Sequence, residues 1–141
     1  MAAITFSKLG LKTELLQALD ENGYVIPFPI QEKAVPVILS GKDIIGQSHT
    51  GTGKTAAYSL PILMNIKKFN VLQALILVPT RELAIQVTTE IRKLSKYTGI
   101  RSIAIYGGQS INNQIVRLNQ GAQIAAATPG RLIDHIKQVG S

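Results

Sequence analysis

Ser48-His49-Thr50-Gly51-Thr52-Gly53-Lys54-Thr55 is the stretch on which the reading of this chain turns. A short apolar run, Asp43-Ile44-Ile45-Gly46, precedes it and is expected to be a strand; the residues after it, Ala56-Ala57-Tyr58, open a helical pattern. Strand, glycine-rich turn and helix in that order form a phosphate-binding loop. Glycines at 51 and 53 let the backbone curl so that successive N–H groups face one anion, with the positive end of the next helix behind them. Lys54 adds a mobile charge for the β- and γ-phosphates, and the Thr55 hydroxyl suits Mg²⁺. Ser48 stands where the usual G-x-x-x-x-G-K-[ST] pattern has glycine, which a small residue tolerates at negative φ. The plainer alternative is a strand-to-helix turn in which Gly-Lys-Thr occurs by chance.

Working outward, helical and strand patterns alternate with no repeat, linker or low-complexity segment. Leu11, Leu15, Leu16 and Leu19 share a helical face that stops at Asn22-Gly23. A second helix is predicted over 30–39, kinked or split by Pro36, and a third over 54–69, disturbed at Pro61. Residues 74–78 read as a strand buried on both faces. Pro79-Thr80 ends it and starts a helix with Leu83, Val87, Ile91 and Leu94 on its inner face. A strand at 102–106 closes at Gly107-Gly108, and a short helix carries Ile111, Ile115 and Leu118. A strand at 123–127 follows, and Thr128-Pro129 caps a last helix with Leu132, Ile136 and Val139 inward. Such alternation predicts an α/β domain with a mainly parallel sheet flanked by helices, whose ligands gather at the carboxyl ends of the strands.

Composition sets the outer bounds. The 141 residues suffice for one domain, or part of one, and 45% apolar residues with a mean hydropathy of +0.19 describe a globular chain. No apolar span is long enough for a membrane helix and no signal peptide is evident, so the expectation is a cytoplasmic protein. Without cysteine there are no disulfides or thiolate metal sites, and His49 and His135 are too few and too far apart for zinc. The net charge of +7 is uneven: from Arg81 onward, eight basic residues face three acidic ones. That excess suits a polyanion such as nucleic acid; a solvated basic surface is the alternative.

Four more segments stand in order around the loop: 23–31, Pro79-Thr80-Arg81-Glu82-Leu83-Ala84, Gly107-Gly108, and Thr128-Pro129-Gly130-Arg131. Taken together with the loop, they resemble the front of a DEAD-box ATP-dependent RNA helicase, over nearly the whole chain. The resemblance implies a RecA-like P-loop domain, incomplete at its C-terminus, with residues 6–31 forming the region that recognises adenine. It implies ATP and Mg²⁺ as cofactors, with Phe6, Gln31, Ser48, Thr50, Gly51, Thr52, Gly53, Lys54 and Thr55 at the nucleotide and Thr55 on the metal. The Gln31 amide, donor and acceptor side by side, matches N6 and N7 of adenine, and Phe6 would cover the ring. The plainer alternatives are a helix-surface glutamine and a core phenylalanine. Phe28 stands where the family usually has threonine, and Ala127 where it often has glycine.

The resemblance further implies that Pro79, Thr80, Arg81, Gly107, Gly108, Thr128, Pro129, Gly130 and Arg131 track the RNA sugar–phosphate backbone. Thr80 and Thr128 are placed at helix N-caps, where unpaired N–H groups can receive a phosphate. Internal ion pairs that position the turns are the alternative role for Arg81 and Arg131. No catalytic residue is assigned: the only Asp-Glu pair, Asp20-Glu21, lies on a polar helix end, and the Asp-Glu-Ala-Asp run and the family's second RecA-like lobe are missing. Unwinding would belong to the complete form, and the phosphate-loop run is expected to be poorly paired, with sheet edges open to self-association. A binding module without turnover is a second reading. Another P-loop class, GTPase or small kinase, is a third, weakened by Gln31 and by the lack of an Asn-Lys-x-Asp guanine signal.

Overall fold

The computed structural model describes residues 5–49, 51 and 53–139, without the Val139 side chain. Its order is a 3₁₀ turn (Phe6–Leu9), α1 (Thr13–Glu21), α2 (Pro29–Leu39), α3 (Lys54–Asn65), β1 (Ala74–Leu77), α4 (Arg81–Leu94), β2 (Ser102–Ile105), α5 (Ile111–Asn119), β3 (Ile124–Ala127) and α6 (Pro129–Val139). The chain divides into two compact units, one of residues 1–65 and 93–99, the other of 66–92 and 100–141.

The first unit is helical. α2 packs on α3, and Leu15, Leu19, Val35, Leu60 and Leu63 are fully buried. Pro36 and Pro61 lie inside uninterrupted helices, so α2 is not split at Pro36. Pro36 is on the solvent side of α2, where water can satisfy the carbonyl that loses its N–H partner. Outside the sheet, Lys96 Nζ reaches Glu21 Oε1 at 2.5 Å and the Tyr97 hydroxyl donates to the same carboxylate, holding it below the usual carboxylate range.

Residues 43–46 have no regular secondary structure and join no sheet, which corrects the strand expected before the loop. Their apolar side chains find no sheet to cover them: Ile45 is 99% exposed and Ile44 41%. The predicted weak pairing of this run is thus what the structure has.

The second unit holds a three-stranded parallel sheet in the order β1-β3-β2. Ala74 and Ser102 both align with Ile124, and Leu77 and Ile105 with Ala127. Only β3, central in the sheet, is buried on both faces; Ile103, Ile105, Ala122, Ala125 and Ala127 form a cluster on which Leu118 and Leu132 pack. β1 is an edge, with Leu75 and Leu77 about half exposed, so the fully buried strand predicted at 74–78 is one-sided.

Three helix expectations shift. α3 stops at Asn65 instead of reaching 69, because the Gln73 side chain ties down the backbone of Lys67 on both its N–H and C=O, at 2.8 and 2.9 Å, and holds a turn there. The buried face of α4 runs through Ala84, Val87, Thr88, Ile91 and Leu94, so Val87, Ile91 and Leu94 lie inward as predicted, while Leu83 is exposed and Ala84 is buried in its stead. In α6 Leu132 packs inward as expected, His135 is also buried, and Ile136 is 62% exposed; the expectation for the Val139 side chain lies outside the described residues.

Candidate nucleotide and RNA-backbone sites

In the first unit, the loop enters α3 through Gly51 and Gly53, both at positive φ, 83° and 79°, which side-chain-bearing residues adopt only with strain. Thr50 and Thr52 lie outside the described residues. Lys54 is exposed at the first turn of α3, and its Nζ donates to the Ser48 carbonyl at 2.9 Å, which leaves two ammonium hydrogens for an anion. Thr55, half-buried, bonds the hydroxyl of Tyr58, whose phenol is pushed up by burial and only partly eased by that bond. Among the described residues no three metal-ligating side chains converge. A Mg²⁺ here would therefore rest on Thr55 and on the phosphates it accompanies, as Mg²⁺ commonly does.

Gln31 is the best-held polar side chain of this unit. It is fully buried, not on the helix surface; its Oε1 accepts from the Phe28 N–H at 3.0 Å, and its Nε2 donates to the Gly53 carbonyl at 3.1 Å. The first bond is the glutamine half of a capping box at the start of α2. The second latches α2 to the phosphate loop. A Cβ on Gly53 would run into the Gln31 amide and come within 2.8 Å of Phe28 Cδ2, so glycine is needed there for space as well as for φ. Phe6 is 4% exposed and packs edge-on to Tyr24, ring centroids 6.1 Å apart, a core placement instead of an open stacking face.

In the second unit, all three candidate backbone-tracking turns follow the carboxyl ends of strands: Pro79-Thr80 after β1, Gly107-Gly108 after β2 and Thr128 after β3. Parallel alignment brings these turns to one sheet edge. Thr80 caps α4, its Oγ1 accepting from the Leu83 N–H at 3.2 Å. The Thr128 carbonyl accepts from the Leu132 N–H at 3.0 Å as α6 begins, and Pro129-Gly130 form its first turn. The Arg81 guanidinium lies 5.3 Å over the Tyr106 ring. Arg131 donates to the Gln109 carbonyl at 2.9 Å and approaches Asp134 at 3.5 Å, which favours the turn-positioning role for this arginine.

Sequence reasoning missed the residues beneath these turns. Gln114, 2% exposed, donates to the Tyr106 carbonyl at 2.9 Å and accepts from Arg131 at 3.4 Å. Its oxygen also meets His135 Nε2 at 2.9 Å, and because the Gln114 nitrogen is committed to Tyr106, His135 is the donor and carries its proton on Nε2. Gln109 completes the set by donating to the Tyr106 hydroxyl at 2.7 Å. A polar residue on the apolar stripe of α5 was the one available signal.

A family model described as DEAD/DEAH box helicase matches residues 28–141, which include the loop and all three turns. The chain belongs to the DEAD/DEAH box helicase family. Among curated family members, it is 49% identical over 133 residues to the DEAD-box ATP-dependent RNA helicase RhpA of Helicobacter pylori, covering 94% of this chain and 27% of that protein. It is 48% identical over 136 residues to the ATP-dependent RNA helicase DeaD of Escherichia coli, covering 95% and 22%. The chain thus spans about a quarter of the length of these relatives. A crystal structure of a DEAD box protein from Methanococcus jannaschii matches it with a TM-score of 0.91 at 39% identity, over 97% of this chain and 38% of that one. A hypothetical ATP-dependent RNA helicase from Sulfolobus tokodaii matches with 0.83 at 37%, over 91% and 37%. The α/β fold with its parallel sheet is therefore that of the DEAD-box family.

Proposed function

We propose that this chain is the ATP- and RNA-backbone-binding part of an ATP-dependent RNA helicase, residues 1–141 forming the front of its first RecA-like domain. The observation that carries the reading is the loop at the start of α3 with Lys54 exposed on it and Gln31 bonded to its Gly53 carbonyl. In this reading, the loop amides, Lys54 and Thr55 hold the phosphates of ATP and its Mg²⁺. Gln31 borders the adenine while fixing the loop, and Phe6 reaches the ring only by leaving its packing against Tyr24. Pro79, Thr80, Arg81, Gly107, Gly108, Thr128, Pro129 and Gly130 receive phosphates of a single strand without reading bases, with Arg131 positioning the turns, so binding is sequence-tolerant and weakened by salt.

Cleavage of ATP requires a carboxylate on the metal and another to orient water, and no described strand ends in such a pair. Hydrolysis and unwinding are assigned to the complete helicase, with its second lobe. No described helix is long and apolar enough to cross a membrane, in keeping with a cytoplasmic role. The half-exposed Leu75 and Leu77 on the β1 edge support association of this edge with a further strand, from the same helicase or a second copy.

Titration with a fluorescent ADP analogue, in competition with ATP and GTP, tests the reading. ATP is expected to compete better than GTP, and Lys54→Ala to weaken binding at least tenfold. Equal competition by GTP, or an unaffected Lys54→Ala variant, would overturn it.

A further inference from the structure

The second unit carries most of the chain's positive charge, eight basic residues against three acidic ones. Arg81 and Arg131 are accounted for at the carboxyl-end turns. Three others are gathered elsewhere: Arg92, Arg101 and Arg117 line a single hollow of about 360 Å³ at the amino-terminal end of β2, the end opposite those turns. The residues lining it include no carboxylate. Arg92 comes from α4, Arg101 from the residue before β2 and Arg117 from α5, so three separate elements deliver the charges.

Two of these arginines are steadied by backbone oxygens. Arg92 reaches the Ser102 carbonyl at 3.5 Å, and Arg101 donates to the Gln120 carbonyl at 3.1 Å. The Arg101 backbone is itself fixed, its N–H donating to Gln123 Oε1 at 2.8 Å. Each tether uses one of the five N–H donors of a guanidinium and leaves the rest. Like charges held together around a hollow repel one another, a cost that an anion between them removes; guanidinium forks match phosphate oxygens in pairs.

Arg117 also lines a second hollow, of about 480 Å³, with Gln109, Ser110, Asn113 and the exposed Val116, which begins just after the Gly107-Gly108 turn. Arg117 thus links two hollows along α5, with the glycine turn at one end, the arginine hollow at the other and the polar side chains of Gln109, Ser110 and Asn113 between them. We infer that Arg92, Arg101 and Arg117 form an additional phosphate site, and that an RNA strand leaving the Gly107-Gly108 turn follows α5 to reach it. This rests on the proposed RNA binding and extends it to the far edge of the sheet.

The test uses the 141-residue chain and a fluorescein-labelled oligo(U) strand, with binding followed by anisotropy across a salt series. Each phosphate neutralised on a single strand contributes about 0.7 to the slope of log K against log salt. The triple variant Arg92→Gln/Arg101→Gln/Arg117→Gln is expected to lose roughly 0.7 to 1.4 of that slope, one or two phosphates. At 0.1 M salt this is a weakening of roughly five- to twenty-five-fold. All three side chains are exposed, so the fold should survive, which circular dichroism checks. Arg81→Gln serves as the comparison at the carboxyl-end turns. A triple variant with the parent's slope, alongside an Arg81→Gln variant whose slope falls, would overturn the additional site alone. No binding of RNA by the parent chain would overturn both readings together. Titration of the ¹⁵N-labelled chain with tripolyphosphate separates the sources of phosphate: arginine side-chain shifts with tripolyphosphate but none with oligo(U) would overturn the RNA assignment.

Discussion

Replacing Gln31 by alanine separates the base-reading role that the family resemblance implies from the loop-holding role seen in the structure. The side chain is fully buried and makes two hydrogen bonds, to the Phe28 N–H and to the Gly53 carbonyl. Each is worth about 0.5–1.5 kcal/mol net, and a buried partner left unsatisfied costs about 1–3 kcal/mol. Phe28 is 46% exposed, so water can reach that region and the lower end applies there; the Gly53 side lies under the amide itself. Gln31→Ala should therefore destabilise the chain by about 2–3 kcal/mol, or roughly 8–12 °C at about 4 °C per kcal/mol for a domain of this size. Gln31→Glu retains the acceptor for Phe28 but sets a carboxylate oxygen against the Gly53 carbonyl. It should melt low at neutral pH and recover part of the loss on acidification, as the protonated carboxyl regains a donor. Thermal melts followed by circular dichroism, beside titrations with the fluorescent ADP analogue, measure both effects. A Gln31→Ala variant that melts within 2 °C of the parent while losing nucleotide binding would refute the latch.

Two further outcomes follow from buried polar groups. Ser59 is fully buried in α3, and its Oγ has no hydrogen-bond partner among the described residues, so Ser59→Ala should raise stability by about 1 kcal/mol, from the relieved hydroxyl and better helix propensity; an unchanged or lower denaturation midpoint would count against it. Burial, and then the Arg131 charge, pull the His135 pKa below its ordinary value, with Asp134 opposing. The unfolded chain then binds the proton more readily, so stability is complete above the unfolded pKa near 6.5 and falls as pH drops below it. The drop in melting temperature from pH 7.5 to 5.5 should shrink in His135→Gln, and a larger drop in that variant would reverse the sign of the argument.

How much the residues alone disclose differs from element to element. The loop, the three turns and the alternation of helices and strands were legible because each depends on local chemistry: glycine at positive φ, threonine at a cap, an apolar period of two or 3.6. The exposure of Leu75 and Leu77 was not, because an apolar run looks the same in a central strand and at an edge, and only the order β1-β3-β2 separates them. The exposure of Leu83 in α4 and the inward turn of His135 have the same origin, since a helix wheel fixes relative positions while the neighbours fix where the buried stripe begins and how wide it is.

The sequence by itself determined the family, the α/β fold and the positions of the loop and turns proposed to hold phosphate, since these depend on spacing within short segments. Tertiary structure alone decided that Gln31 is a buried latch on the Gly53 carbonyl, that Gln114 and His135 underpin the Gly108 and Arg131 turns, and that Arg92, Arg101 and Arg117 share one hollow. Each joins residues distant in the chain, and their approach is set by which surfaces pack, a property of the whole fold that no single segment carries.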